Sequence, residues 1–261
     1  NTLKSSKLNP KQQEAVSHGS GPLLIAAGAG SGKTQTLTNR LQYLINTLKI
    51  PPGNILAITF TNKAADEMRK RVHIGQLSNT KGQMSFIGTF HSFGAKVLRE
   101  NCHHFNRTPR FTIFDEDDSL TLCRQVCRNL NLDKEKYNPI DLAGQITEFK
   151  NELIRPDPTT VEGKVFYDYE ASLEENNGFD FDDLIEKPIK LLREKAGILK
   201  KYQEQYQYIL IDEYQDVNAA QYQLVKLLAG ERANLSVVGD DQQAIYGWRG
   251  ADFRNFLNFD K

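Results

Sequence analysis

Ala27-Gly28-Ala29-Gly30-Ser31-Gly32-Lys33-Thr34 follows the apolar run Leu23-Leu24-Ile25-Ala26 and precedes Leu37, Leu41, Leu44, Ile45 and Leu48 at helical spacing. A strand that ends in glycines and turns at once into a helix has a well-defined chemical use. Glycines let the backbone approach a phosphate chain, inward-facing N–H groups and the helix N-terminus meet its charge, and Lys33 reaches its terminal phosphates. Thr34 adds a hydroxyl of the kind that holds Mg²⁺ beside those phosphates. Ala27 stands where the strict pattern has Gly, while Gly32-Lys33-Thr34 is intact. The bland reading, a glycine-rich turn with an incidental lysine, leaves the coincidence of all these parts at one strand-to-helix junction unexplained. Residues 27–34 are therefore the candidate site for a nucleoside triphosphate with Mg²⁺.

Around this junction the first hundred residues alternate strand and helix signals. Pro51-Pro52-Gly53 stops the first helix, and residues 55–60 read as the next strand. Thr61 or Asn62 can cap a helix with Ala64, Ala65, Met68 and Val72 on one side; a strand at 84–87 then precedes a helix carrying Phe90, Phe93 and Val97 inward. From about residue 102 to 177 the rhythm changes, because 120–130, 140–153 and 161–173 read as amphipathic helices with almost no strand signal between them. Strands return at 208–211 and 235–238, separated by a helix bearing Leu224, Val225, Leu227 and Leu228. The expected fold is α/β, a P-loop NTPase domain with a parallel sheet, interrupted by an all-helical insertion.

Composition bounds the rest. The 261 residues carry 33 Lys+Arg against 33 Asp+Glu, with 39% hydrophobic residues and three cysteines. Such a chain can bury a substantial core without disulfides, which excludes disordered, collagenous and small disulfide-rich classes. The longest uncharged apolar stretch, about 21–28, is far below the ~20 residues of a membrane span, so the expectation is a soluble, cytoplasmic protein with no membrane partner. Cys102, Cys123 and Cys127 suit a reducing compartment, and with His103 and His104 they match no common metal-ligand spacing. Asn1 rather than Met opens the chain, as in an excised fragment. Neutral net charge hides asymmetry: 61–110 holds nine Lys/Arg against three Asp/Glu, and 157–183 holds nine Asp/Glu against Lys164 alone. These runs are either solvated faces or surfaces set toward charged partners.

A phosphate loop serves switches as well as enzymes, so the second half of a hydrolytic site matters. Ile209-Leu210-Ile211-Asp212-Glu213 is an apolar strand ending in two carboxylates. Asp212 there can hold Mg²⁺ together with the Thr34 hydroxyl, and Glu213 can orient and deprotonate an attacking water. Gln243, just beyond the strand end Val237-Val238-Gly239-Asp240, has an amide suited to a γ-phosphate or its hydrolytic water. Gln12 precedes the phosphate loop, and its amide can read adenine edges. Phe60-Thr61-Asn62-Lys63, Thr89-Phe90-His91-Ser92 and Tyr246-Gly247-Trp248-Arg249 combine aromatics with polar donors in the loops after other strands, as single-strand binding by stacking and phosphate contacts requires. Phe90 falls on an apolar stripe and reads as core.

Gln12-Gln13, the 27–34 loop, Ala57 through Ala65, Gly88-Thr89-Phe90-His91-Ser92, Phe179 through Leu184, Ile211 through Asp216, and Val238 through Asp252 occur in the order of the motifs of superfamily 1 DNA helicases of the UvrD/Rep/PcrA type, which the chain resembles over nearly its whole length. The resemblance implies a RecA-like ATPase domain 1A in two parts, residues 1–100 and 179–261, with helical domain 1B at 101–178, in motors that move 3′ to 5′ on single-stranded DNA and act at duplex junctions. By motif it implies adenine contact for Gln12, phosphate and Mg²⁺ contacts for Lys33, Thr34 and Asp212, hydrolysis by Glu213 with Gln243 sensing the γ-phosphate, and a DNA path along Phe60, Thr61, Asn62, Thr89, His91, Tyr246, Trp248 and Arg249. Gln242 stands where the family commonly has Asp. The family's second RecA-like domain, with arginines that complete the ATP site, is expected beyond Lys261. Two other classes fit the phosphate site: the helicase part of a helicase-nuclease, and a P-loop ATPase that does not act on nucleic acid.

Overall fold

The structure, a computed structural model, describes residues 8–28, 30–72, 85–133, 135–232 and 234–240. Gln243, Tyr246, Trp248, Arg249 and Ala29 thus lie outside the described residues. The described strands are β1 (Leu23–Ala26), β2 (Ile55–Thr59), β3 (Phe86–Thr89), β4 (Thr112–Phe114), β5 (Gly178–Asp180), β6 (Tyr208–Ile211) and β7 (Leu235–Gly239). The chain forms two compact units, one drawn from residues 1–90, 197–218 and 225–261, the other from 91–196 and 219–224.

In the first unit five strands make a wholly parallel sheet in the order β1-β7-β6-β2-β3. Every residue of β2, β6 and β7 is buried, which is why these strands read as unbroken apolar runs. β1 lies at an edge and alternates half-buried with exposed residues. The core joins Leu37, Leu41, Leu44 and Ile45 of α2 (Lys33–Asn46) to Ile55 and Ala57 of β2, Ala65 and Met68 of α3 (Asn62–Arg71), Leu210 and Val238. Because all strands are parallel, Ala26, Thr59, Thr89, Ile211 and Gly239 end at one edge, where the residues singled out by sequence follow them.

Helix α1 (Pro10–Ser17) buries no residue, so it is held by polar bonds. Arg40, fully buried on α2, donates from its Nη1 to the carbonyls of Ala15, Val16 and His18 and from Nε to Ser236 Oγ at 2.8 Å. A guanidinium at the carbonyl end of a helix satisfies acceptors that have no intrahelical partner. β3 lies two residues later than the periodicity predicts, and it runs directly into α4 (Phe90–Asn101) without the expected loop. Gly88 disfavours a strand by itself, but Ile58 and Thr59 of β2 pair with Gly88 and Thr89 and override that preference.

The second unit corrects the expectation of an all-helical insertion. Helices α5 (Glu116–Asn129), α6 (Pro139–Asn151) and α7 (Val161–Glu175) pack around Leu122, Val126, Leu142, Ile146, Val165 and Phe166, yet β4 and β5 pair in parallel beside them. Three residues are too few for a period to register in sequence, and the 66-residue separation of paired positions such as Thr112 and Gly178 hides the pairing. β5 and α8 (Asp183–Glu194) belong to this unit, although the sequence grouped them with the ATPase domain. Gly94 marks the approach of α4 to α8, since a Cβ there would lie 1.6 Å from the Leu184 carbonyl oxygen.

The acidic run at 157–183 is not simply wet surface. Lys150, fully buried, bonds Asp180 at 2.6 Å, Glu170 at 2.7 Å and Asp183 at 2.8 Å. Lys187 reaches Glu170, Asp183 and Glu186, and Arg155 pairs with Glu186. Burial alone would favour the neutral amine, but three carboxylates hold the Lys150 pKa well above the ordinary lysine value. Burial likewise pushes Asp183 up, with Asp180 and Glu170 adding to the effect.

Candidate functional site

The phosphate loop is shaped by two left-handed glycines. Gly30 has φ 72° and Gly32 φ 85°, a region that glycine enters without Cβ strain. Gly32 is the N-cap of α2, its carbonyl accepts the Thr36 N–H at 2.9 Å, and Ser31 Oγ donates to the Gly28 carbonyl at 2.7 Å. The Ala27 N–H donates to the Gly239 carbonyl at 3.0 Å, which ties the loop's start to the end of β7. The helix N-terminus therefore faces the same strand ends as Asp212 and Asp240.

Thr34 Oγ1 donates to Asp212 Oδ2 at 2.7 Å, so the structure brings together the hydroxyl and carboxylate that sequence reasoning paired. Asp212 is buried, and burial raises its pKa; the Glu213 charge acts the same way, against the Thr34 hydrogen bond and Lys33. A hydroxyl and a carboxylate oxygen at this separation are hard donors of the kind Mg²⁺ takes when substrate phosphates complete its shell, so these residues fit that ion. Among the described residues no group of three or more His, Cys, Asp or Glu is arranged to hold a metal by itself. Cys102, Cys123 and Cys127 are buried, and burial pushes the Cys123 thiol up to about 12.

Glu213 leaves β6 in the left-handed region at φ 50°, ψ 44°, unusual for a residue with a Cβ. Strain of this kind, about 1–3 kcal/mol, persists where surroundings over-determine it. Here they do. Its N–H donates to Asp212 Oδ1 at 3.1 Å, and its Oε2 accepts from Gln215 Nε2 at 2.9 Å. Glu213 is half-buried, leaving its carboxylate reachable.

Sequence reasoning missed two contributors. Asp240, at the end of β7, bonds Lys33 Nζ at 3.3 Å, and both are buried. Its signal was available, because an acid after an apolar strand is the pattern that selected Asp212. Gln215 bridges Glu213 and the Asp240 N–H. Gln12 does more than expected: in a capping box its Oε1 accepts from the Asn9 N–H at 2.9 Å, while its Nε2 donates to the Ser31 carbonyl at 2.9 Å.

The residues assigned to a DNA path have mixed surroundings. In the first unit Phe60 is half-buried, edge-on to the buried Phe90 at 5.9 Å, which places Phe90 in the core as expected. Thr61 caps α3 by accepting the Ala64 N–H at 3.1 Å, and Asn62 is exposed beside it. Thr89 ends β3. In the second unit the half-buried His91 lies 4.6 Å from the Phe181 ring, and burial lowers its pKa; half of Phe181 is exposed.

The UvrD/REP helicase N-terminal domain family model matches residues 8–261. The chain is 44% identical to an ATP-dependent DNA helicase PcrA of Staphylococcus aureus over 97% of its own length and 36% of that protein's. A protein of the same name in Bacillus subtilis is 45% identical over 98% of the chain and 36% of the relative, and one in Leuconostoc citreum 44% over 97% and 35%. The chain spans about a third of the length of these curated relatives.

Proposed function

We propose, from the premise that the chain belongs to the UvrD/REP helicase N-terminal domain family, that it is the ATP-binding part of an ATP-dependent DNA helicase that couples hydrolysis to 3′-to-5′ movement on single-stranded DNA. The observation that carries this reading is the Thr34–Asp212 bond at 2.7 Å with a second acid, Glu213, pinned beside it. A nucleotide-binding module that only switches has no need of the second acid. The first compact unit then corresponds to the RecA-like ATPase domain, the second to the insertion, and the place of action is the cytoplasm, at single strands and duplex junctions.

In this reading the backbone of residues 27–32 receives the phosphates and Lys33 meets their terminal charge, sharing its three donors between Asp240 and the nucleotide. Gln12 keeps its two bonds and still offers one lone pair and one N–H to adenine, since an amide has two of each. Thr34 and Asp212 would hold Mg²⁺, which would supply neutralisation of phosphate charge. Glu213 takes a proton from water as the water oxygen bonds to the γ-phosphorus and the bond to the bridging oxygen of ADP breaks. Gln243 senses the γ-phosphate, and Tyr246, Trp248 and Arg249 join Phe60, Thr61, Asn62, Thr89 and His91 on the DNA path. The test is ATP hydrolysis by the intact protein with and without single-stranded oligonucleotide. Stimulation by the oligonucleotide is expected; hydrolysis indifferent to it favours an ATPase acting on another substrate.

A further inference from the structure

We propose that Gln215 is the positioning residue that sets the Glu213 carboxylate for hydrolysis and links it to the end of β7, an assignment that rests on the proposed ATPase site. Gln215 is 3% exposed, and both ends of its amide are used. Its Nε2 donates to Glu213 Oε2 at 2.9 Å, its Oε1 accepts from the Asp240 N–H at 3.0 Å, and Nε2 also lies 3.5 Å from Asp216 Oδ2.

These partners fix the amide's sense. A flipped amide would set its oxygen against the Glu213 carboxylate and its NH₂ against an N–H, so one orientation alone satisfies both sides. A glutamate has three side-chain torsions, and a buried donor on Oε2 selects one arrangement and leaves Oε1 for a water. The far end of the same amide holds the main chain of Asp240, whose carboxylate bonds Lys33. Gln215 thus spans two neighbouring strand ends, joining the acid after β6 to the residue after β7 that touches the phosphate-loop lysine. A displacement at the end of β7 passes through one rigid amide to the hydrolytic carboxylate.

The experiment compares Gln215→Met, Gln215→Glu, Glu213→Gln and the exchanged pair Glu213→Gln with Gln215→Glu in the intact protein. Gln215→Met keeps length and removes both bonds. It is expected to lower kcat about 10- to 100-fold, the scale of a misplaced reacting group, with ATP affinity kept within about threefold. Gln215→Glu keeps an acceptor for Asp240 but faces Glu213 with a second acid, so it is expected to melt earlier. In the exchanged pair an amide at 213 again donates to a carboxylate at 215, so melting recovers above that of Gln215→Glu while turnover stays absent. Wild-type kcat in Gln215→Met, joint loss of affinity and turnover, or an exchanged pair no more stable than Gln215→Glu each overturns the assignment alone. A wild-type protein that hydrolyses no nucleotide overturns the ATPase reading and this assignment with it.

Discussion

Lys150→Met removes the cation at the centre of the second unit's ion network while keeping side-chain length. Lys150 is fully buried with three carboxylates within 2.8 Å, so the substitution strands Asp180, Asp183 and Glu170 with Lys187 as their remaining close cation. Removing one partner of a buried ion network costs about 3–5 kcal/mol, because the charges left behind are uncompensated. At about 4–8 °C per kcal/mol for a domain near 100 residues, melting should fall by at least about 12 °C. The deficit should also depend on pH. In the native protein burial alone would raise the Glu170 pKa, but Lys150 and Lys187 hold it down to about 2. A native pKa below the unfolded value of roughly 4.3 contributes stability above that pH and loses it as pH falls toward 2. Without Lys150, burial raises Glu170 and lifts Asp183 further, so the variant is relatively better off once these two take protons. Circular dichroism melts at pH 8 and pH 5 should show a larger deficit at pH 8. A loss under about 1 kcal/mol, or a deficit that grows at pH 5, would refute the reasoning.

Thr34→Ala should reduce the gain in nucleotide affinity that Mg²⁺ brings by ~10-fold or more while leaving affinity in chelator nearly unchanged, as titration of a fluorescent nucleotide with and without Mg²⁺ would measure. Trp248→Ala should weaken single-strand affinity by roughly 5- to 150-fold, the loss of one stacked base, with DNA-free nucleotide binding intact; fluorescence of the sole tryptophan during oligonucleotide titration checks it. Gly94→Ala should destabilise the second unit, because its Cβ meets the backbone of Leu184 at 1.6 Å, and thermal melting reads that directly.

What was legible in the sequence was local. The glycine loop, the buried strands read at 55–60, 208–211 and 235–238, and the three amphipathic helices of the second unit each carry a period or punctuation within one short window. The Thr34–Asp212 pairing was accessible because strand-end carboxylates beside a phosphate loop have one obvious use. What escaped was set by tertiary neighbours. Asp240 ends an apolar strand as Asp212 does, but only the order β1-β7-β6 puts it against Lys33. Gln215 sits in the stretch 211–216 that sequence reading singled out, yet its two-sided role needs β6 and β7 side by side. Asp180 and Asp183 read as surface charge because nothing near them in sequence announces Lys150, about thirty residues upstream. β4 and β5 are three residues each and find each other only in the folded unit.

The central claim is that Lys33, Thr34, Asp212 and Glu213 form a nucleotide-hydrolysing site, and Glu213→Gln in the intact protein tests it most directly. The amide keeps the shape of the acid and loses its basicity. Nucleotide affinity and DNA-stimulated hydrolysis are measured side by side for this variant and for Lys33→Ala. Binding near the wild-type value with turnover abolished in Glu213→Gln, and weakened binding in Lys33→Ala, is the predicted result; sustained hydrolysis in Glu213→Gln contradicts the account.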